Sequence, residues 1–154
     1  MTLPYQEGSV FAVPLRNGGY ALGVVARVTD EKFGGAALLG YFFGPKRASV
    51  PSRQVIDSLE PSEALKVIIF GDLSLLNGEW PIIDRVSDWR RRDWPLPDFA
   101  RKDDISKRAW RVHYSDDNLL QPLSEESEPY DSSLERNTSY GAGAVELLLT
   151  RLLG

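Results

Sequence analysis

The sequence predicts a small α+β fold: a curled antiparallel β-sheet or SH3-like barrel with a C-terminal helix packed on it. Three observations carry this. Two strand-turn-strand patterns stand at Gly8–Val25 and Val67–Ile83, short apolar runs with Asn-Gly turns recur through the first 85 residues, and one apolar stripe of helical spacing lies at the end of the chain. The chain has 154 residues, enough for a single domain over 1–154 with one substantial core.

In the first pattern Phe11, Val13 and Leu15 share one side of a strand, and Val10 and Ala12 the other. Asn17-Gly18 supplies the positive φ of a tight turn. The return strand places Tyr20, Leu22, Val24, Ala26 and Val28 on one face and Ala21, Gly23 and Val25 on the other, so both faces are apolar and both must be covered. Gly23 lets a ring or a backbone approach closely. Pro14 belongs at a bulge or an edge. A third strand runs over 36–43 and is closed by Gly44-Pro45; a short helix falls within 51–65; a fourth strand covers 65–70. Asn77-Gly78 turns the chain into a fifth strand over 80–83, with Trp80 as a core anchor. Residues 85–99 read as an irregular segment laid across the sheet, and Trp110, Val112 and Tyr114 alternate as a sixth strand. Residues 116–138 are rich in Ser, Glu and Asp and read as a mobile acidic loop. Residues 142–153 form a helix with Val145, Leu148, Leu149 and Leu152 on one stripe. The expected core is Phe11, Val13, Leu22, Val24, Leu39, Phe70, Trp80, Ile82, Leu148 and Leu152.

There is no cysteine, which excludes disulfides, thiolate metal sites and Cys nucleophiles. The N-terminus lacks the basic and apolar regions of a signal peptide, and no apolar run approaches membrane-spanning length. The expectation is a cytoplasmic protein that does not bind a membrane. The net charge is −4, which disfavours a nucleic-acid partner. The charge is uneven: residues 85–111 hold nine Lys/Arg against five Asp/Glu, and residues 112–137 hold one Arg against seven Asp/Glu. The two stretches either neutralise each other or leave an acidic face for a partner.

No motif carries catalysis. His113 is the sole histidine, too few for a His-centred zinc site, and no nucleophile elbow is present. Gly18-Gly19 and Gly34-Gly35 lack the Lys-Ser/Thr of a phosphate loop. Asp116-Asp117-Asn118 lacks the glycine and distal glutamate of a calcium loop. No cofactor, no metal and no catalytic residue are expected. Trp89-Arg90-Arg91-Arg92-Asp93-Trp94 is the stretch most like a nucleic-acid binder, since Arg can hold phosphate and Trp can stack a base. The same pattern also suits tryptophans packed inward with arginines in water.

The spacing of Gly8-x-Val10-Phe11-Ala12-Val13-Pro14-Leu15, Gly19-Tyr20-Ala21-x-Gly23, Gly71-Asp72 and Gly78-x-Trp80-Pro81-Ile82-Ile83 resembles the immunity protein 26 family of bacterial polymorphic-toxin systems. A weaker echo follows in Gly141-x-Gly143-Ala144-Val145-Glu146-x-x-Leu149. The family pattern often has Asp after the first Gly, where this chain has Ser9. The resemblance implies a non-catalytic immunity protein that binds and neutralises a cognate toxin, which in many such systems is a nuclease with a basic groove. An acidic surface fits such a groove. The expected contacts are therefore Asp116, Asp117, Glu125, Glu126, Glu128, Tyr130 and Asp131, with Tyr114 as a further aromatic anchor; the alternative contacts are Trp89, Arg90, Arg91, Arg92 and Trp94. Two other classes stay open. One is a nucleic-acid-binding barrel using Trp89, Arg91 and Trp94. The other is a small-barrel ribonuclease of toxin-antitoxin type using Arg27, Arg47 or the Arg90 cluster.

Overall fold

A sheet whose central strands are apolar on both faces needs two covers, and the chain supplies both. The computed structural model describes residues 2–154. Its elements are β1 (Ser9–Pro14), β2 (Tyr20–Val28), β3 (Leu38–Arg47), α1 (Arg53–Asp57), β4 (Lys66–Phe70), α2 (Leu73–Leu76), β5 (Ile82–Arg85), β6 (Phe99–Asp103), β7 (Arg108–His113), β8 (Ser124–Glu128), β9 (Ser139–Tyr140) and α3 (Ala142–Leu153). Six strands form one sheet in the order β5-β1-β2-β3-β4-β9, and β6-β7-β8 form a second. All pairs are antiparallel except β4 with β9. The large sheet ends at β5 and β9 and is not closed into a barrel.

On one face Phe11, Val13, Ala21, Val25, Phe42, Ile68 and Phe70 pack under α3 and Trp80. Here the missing Cβ of Gly23 matters, because a Cβ at that point would overlap the Phe11 ring. Gly40 acts likewise: its Cβ would lie 2.6 Å from Phe70 and 2.7 Å from Phe42. The rings use this space. Phe11 stacks parallel on Trp80 with centroids 5.7 Å apart, and Phe42 stands edge-on to both Phe11 and Phe70. The Trp80 indole N–H donates to Glu146 Oε2 of α3 at 2.8 Å, so its polar atom is satisfied inside the core. On the other face Val10, Leu22, Val24, Leu39, Tyr41 and Phe43 are covered by Ile56 of α1, Trp94, and Phe99, Val112 and Tyr114 of the second sheet's region.

Several sequence expectations are corrected. The Val67–Ile83 unit is not a hairpin: β4 pairs with β3, β5 pairs with β1 on the far side of the sheet, and α2 carries the chain between them. Trp80 precedes β5 and fills the face that this connection crosses. β3 continues past Gly44-Pro45 to Arg47, because Arg47 pairs with Tyr20 beyond an irregular register. In the first turn Gly18 and Gly19 carry the positive φ, not Asn17. The segment expected to be loop over 116–138 contains β8, and β6 and β9 were not foreseen. Leu152 is 47% exposed and Leu148 only partly buried, because Val145 and Leu149 are the α3 residues that point into the core; Ile82 is partly buried on the edge strand β5.

Replacing Trp80 by Ala should cost about 3–5 kcal/mol in denaturant unfolding, since it empties a fully buried site and removes the indole donor to Glu146 Oε2. Leu152→Ala should stay within about 0.5 kcal/mol. Gly23→Ala should destabilise strongly, and Phe11→Leu added to it should recover part of the loss. Equal effects for Trp80→Ala and Leu152→Ala would contradict this packing.

Candidate partner-binding surface

β2 is apolar except at Arg27, and a register skip decides where that residue goes. Val25 pairs with Gly40 but Arg27 with Leu39, so one residue of β2 is extra. Such a bulge re-aims a side chain. Arg27 joins the face that holds Leu39, and Val28 crosses to the opposite core. Arg27 is buried, and its guanidinium makes four hydrogen bonds. Nε donates to Asp116 Oδ1 at 2.6 Å, one terminal nitrogen to the carbonyls of Ala26 at 2.6 Å and Trp94 at 3.0 Å, and the other to that of Arg91 at 3.3 Å. It therefore pins both the 91–94 turn and the start of the acidic segment to β2.

Several other acidic residues follow the same logic. Arg91 reaches both carboxylate oxygens of Glu7, at 2.8 and 2.6 Å, and Asp117 at 2.8 Å. Glu125 holds Arg101 of β6 with two bonds of 3.0 and 2.8 Å. Arg111 of β7 joins Glu128 at 2.9 Å to Asp98 at 3.0 Å, and Asp98 also bonds His113 Nδ1 at 2.9 Å. Tyr130 donates to Asp104, which also binds Arg136 at 2.7 Å. Among the described residues Glu126 and Asp131 make no ion pair and are exposed. Tyr114 is buried and donates to Asn137 at 2.6 Å. Thus β8, Ser-Glu-Glu-Ser-Glu, has no apolar residue of its own; its ladder to β7 and the arginines of β6 and β7 hold it.

Four of these acids are held down by their partners. The hydrogen bond from Arg91 holds Asp117 below the usual carboxylate range, and that from Arg101 does the same for Glu125. Arg136 and Tyr130 bring Asp104 down to about 2. Partial burial works to raise Asp98, but the bonds from His113 and Arg111 outweigh it and leave Asp98 lowered.

The Trp-Arg stretch divides cleanly. Trp94 is buried, edge-on to Tyr41 at 5.1 Å and Phe43 at 6.1 Å, with Trp89 packed on it at 5.5 Å. Arg90 and Arg92 stay exposed. Arg92, Leu96, His113 and Tyr114 border a cleft of about 480 Å³, in which Arg27 and Arg91 are already matched by carboxylates. Arg47 lies away from it, in another cleft beside Phe43, Leu59 and Leu153. Of the arginines invoked for phosphoryl transfer, Arg27, Arg91 and Arg92 border the first cleft and Arg47 lies apart from it. No group of three or more His, Cys, Asp or Glu capable of holding a metal occurs among the described residues. Nor does any helix among them have the length and apolarity to cross a membrane.

The model of the family described as immunity protein 26 matches residues 6–111. The chain belongs to the immunity protein 26 family. No curated protein and no solved structure matches it. The residues that carry the family pattern turn out to be builders. Ser9 accepts from the Gln6 N–H at 2.9 Å, Asp72 accepts from the Tyr5 hydroxyl at 2.6 Å, and Gly23 and Trp80 form the aromatic core described above. The family match stops at Arg111, so β8, β9, α3 and the acidic segment lie beyond it.

Sequence reasoning passed over one part of this immunity protein's surface. Trp110, read only as a strand residue, is half-buried under the Arg101 guanidinium, 4.0 Å from its ring centroid. With Lys107, Arg108, Ser127, Pro129 and Tyr130 it lines a cleft of about 490 Å³ at the end of the second sheet. The signal available was the Arg-x-Trp-Arg alternation near a second aromatic, Tyr130.

Two outcomes test this electrostatic frame. Carboxylates held below their unfolded values stabilise the fold fully above those values and cease to do so as pH falls through the depressed ones. Unfolding midpoints should be level from about pH 7 to 5 and fall below about pH 4, and Asp98→Asn should make the fall shallower. Arg27→Ala should cost about 2–4 kcal/mol, because it strands buried carbonyls as well as an ion pair. An unchanged melting temperature for that variant would show that the pin is dispensable.

Proposed function

We propose that this chain neutralises one cognate protein toxin by binding and covering it, with no chemistry of its own, in the cell that makes both. The observation that carries the reading is the family match over residues 6–111. The site geometry supports it: the conspicuous side chains are engaged in structure, and His113 has an Asp partner but no nucleophile bonded to it. Recognition falls to the second sheet and the segment after it. There Glu126 and Asp131 have no cation partner among the described residues, Asp116 and Asp117 keep more than half of their side-chain surface in water, and Tyr130 adjoins Asp131 in the chain. A basic partner surface, as in the groove of a nuclease, is what this side suits. Glu125 and Glu128 serve mainly to shape it. Arg90 and Arg92 are the alternative contact.

The test is co-expression with the product of the neighbouring reading frame. The chain should restore growth and co-purify with that product. Glu126→Gln with Asp131→Asn should slow association at low salt by about threefold or more, with the melting temperature unchanged. His113→Ala should protect as well as the native chain. A growth rescue that fails with soluble protein, or that depends on His113, would overturn the reading.

A further inference from the structure

Tight turns favour Gly, Asn, Asp and Ser, which adopt turn geometry and satisfy the backbone locally. The β6–β7 turn, Asp103-Asp104-Ile105-Ser106-Lys107, uses that chemistry. Asp103 Oδ1 accepts from the N–H of Ile105 at 2.9 Å and of Ser106 at 3.3 Å. The Lys107 N–H donates to the Asp103 carbonyl at 2.9 Å, with Lys107 itself at φ 59°. From the side, Asp104 is held by Arg136 and Tyr130. The turn is tied at each end and along one flank.

Ile105 is the residue that folding does not account for. It is 95% exposed, against 66% for Leu73 and 65% for Leu123, the next most exposed large apolar side chains. It buries almost nothing, and a β-branched residue gains nothing from a turn apex. Local rules that are broken without a folding benefit mark functional positions. The surroundings agree. Trp110 and Tyr130 line the adjoining cleft. Arg101 covers Trp110, and Lys107 and Lys102 lie 4.9 and 5.5 Å from the Tyr130 ring centroid. An aliphatic tip on a turn tied to Tyr130 through Asp104, with Lys107 of the same turn lining a cleft with Arg108, Trp110 and Tyr130, has the composition of an interface hot spot, and little ordering is left for docking to impose.

We infer that the β6–β7 tip is the anchor with which this chain grips its toxin. Ile105 enters an apolar pocket of that protein, and Trp110 and Tyr130 close on the pocket's rim. The inference rests on the toxin-binding reading above and adds the point of contact.

Binding of the purified product of the neighbouring reading frame decides it. Ile105→Asp should leave the melting temperature unchanged, because the side chain touches so little, and should weaken affinity by about tenfold or more, chiefly through faster dissociation. Ile105→Leu should bind like the native chain. Leu73→Asp, an equally polar change on α2, should have no effect. If the native chain binds and Ile105→Asp binds equally well, the tip is not the anchor, while toxin binding stands. If the native chain neither binds nor protects, the toxin-binding reading fails and the anchor with it.

Discussion

Two missing Cβ atoms govern the centre of this molecule. Gly23 and Gly40 lie on the neighbouring strands β2 and β3, and each leaves room for a phenyl ring to lie against the sheet. The Phe11, Phe42 and Phe70 rings take that room, and the Trp80 indole closes the cluster from above. Phe11 comes from β1, Phe70 from β4, and Trp80 from the link that passes from β4 to β5. The aromatic cluster thus joins strands that are far apart in the sheet order. A side chain at either glycine would force the rings off the sheet, and the seat for α3 would move with them.

The opposite face depends on polar bonds as much as on apolar contact. A one-residue bulge turns Arg27 into the covered face, where it collects three carbonyls and a carboxylate. A buried guanidinium requires that set of acceptors, because an unpaired charge there would be costly. The second sheet is attached by few apolar residues, chiefly Phe99 and Val112. Its outer strand relies on Arg101 and Arg111 instead. The basic stretch over 85–111 is tied to the acidic stretch that follows through Arg91 to Asp117, Arg101 to Glu125, Arg111 to Glu128 and Asp104 to Arg136. Among the described residues Glu126 and Asp131 on one side, and Arg90, Arg92, Lys107 and Arg108 on the other, stay outside that pairing.

Much of the large sheet was legible in the sequence, because β1, β2 and β4 are apolar runs and α3 is an apolar stripe. The pairing of β5 with β1 was not, since an Asn-Gly turn and flanking apolar residues look alike whether the strands meet or pass to opposite edges. β8 was hidden because a strand without apolar residues has no period to read; its ladder and its arginines come from elsewhere in the chain. Arg27 offered a trace, as the one charged residue among nine in β2, but a bulge leaves no mark in composition. The acidic cluster was visible as composition, yet its members' partners are tertiary facts. Ile105 was visible as an aliphatic residue in the run Asp-Asp-Ile-Ser-Lys, and only the exposed, tied turn gives it meaning.

The bond between Trp80 and Glu146 also bears on the order of synthesis. The indole and its acceptor are 66 positions apart, and the Arg16 side chain, in the first turn, binds the other oxygen of the same carboxylate at 3.1 Å. Until α3 has left the ribosome, the aromatic face has no cover and the indole N–H has no acceptor within the chain. The strands of the large sheet that precede β9 can meet earlier, but the face that α3 seals stays open to water or to a chaperone. The cover of one core face of this immunity protein therefore comes from a helix that is synthesised after every strand of the sheet it covers.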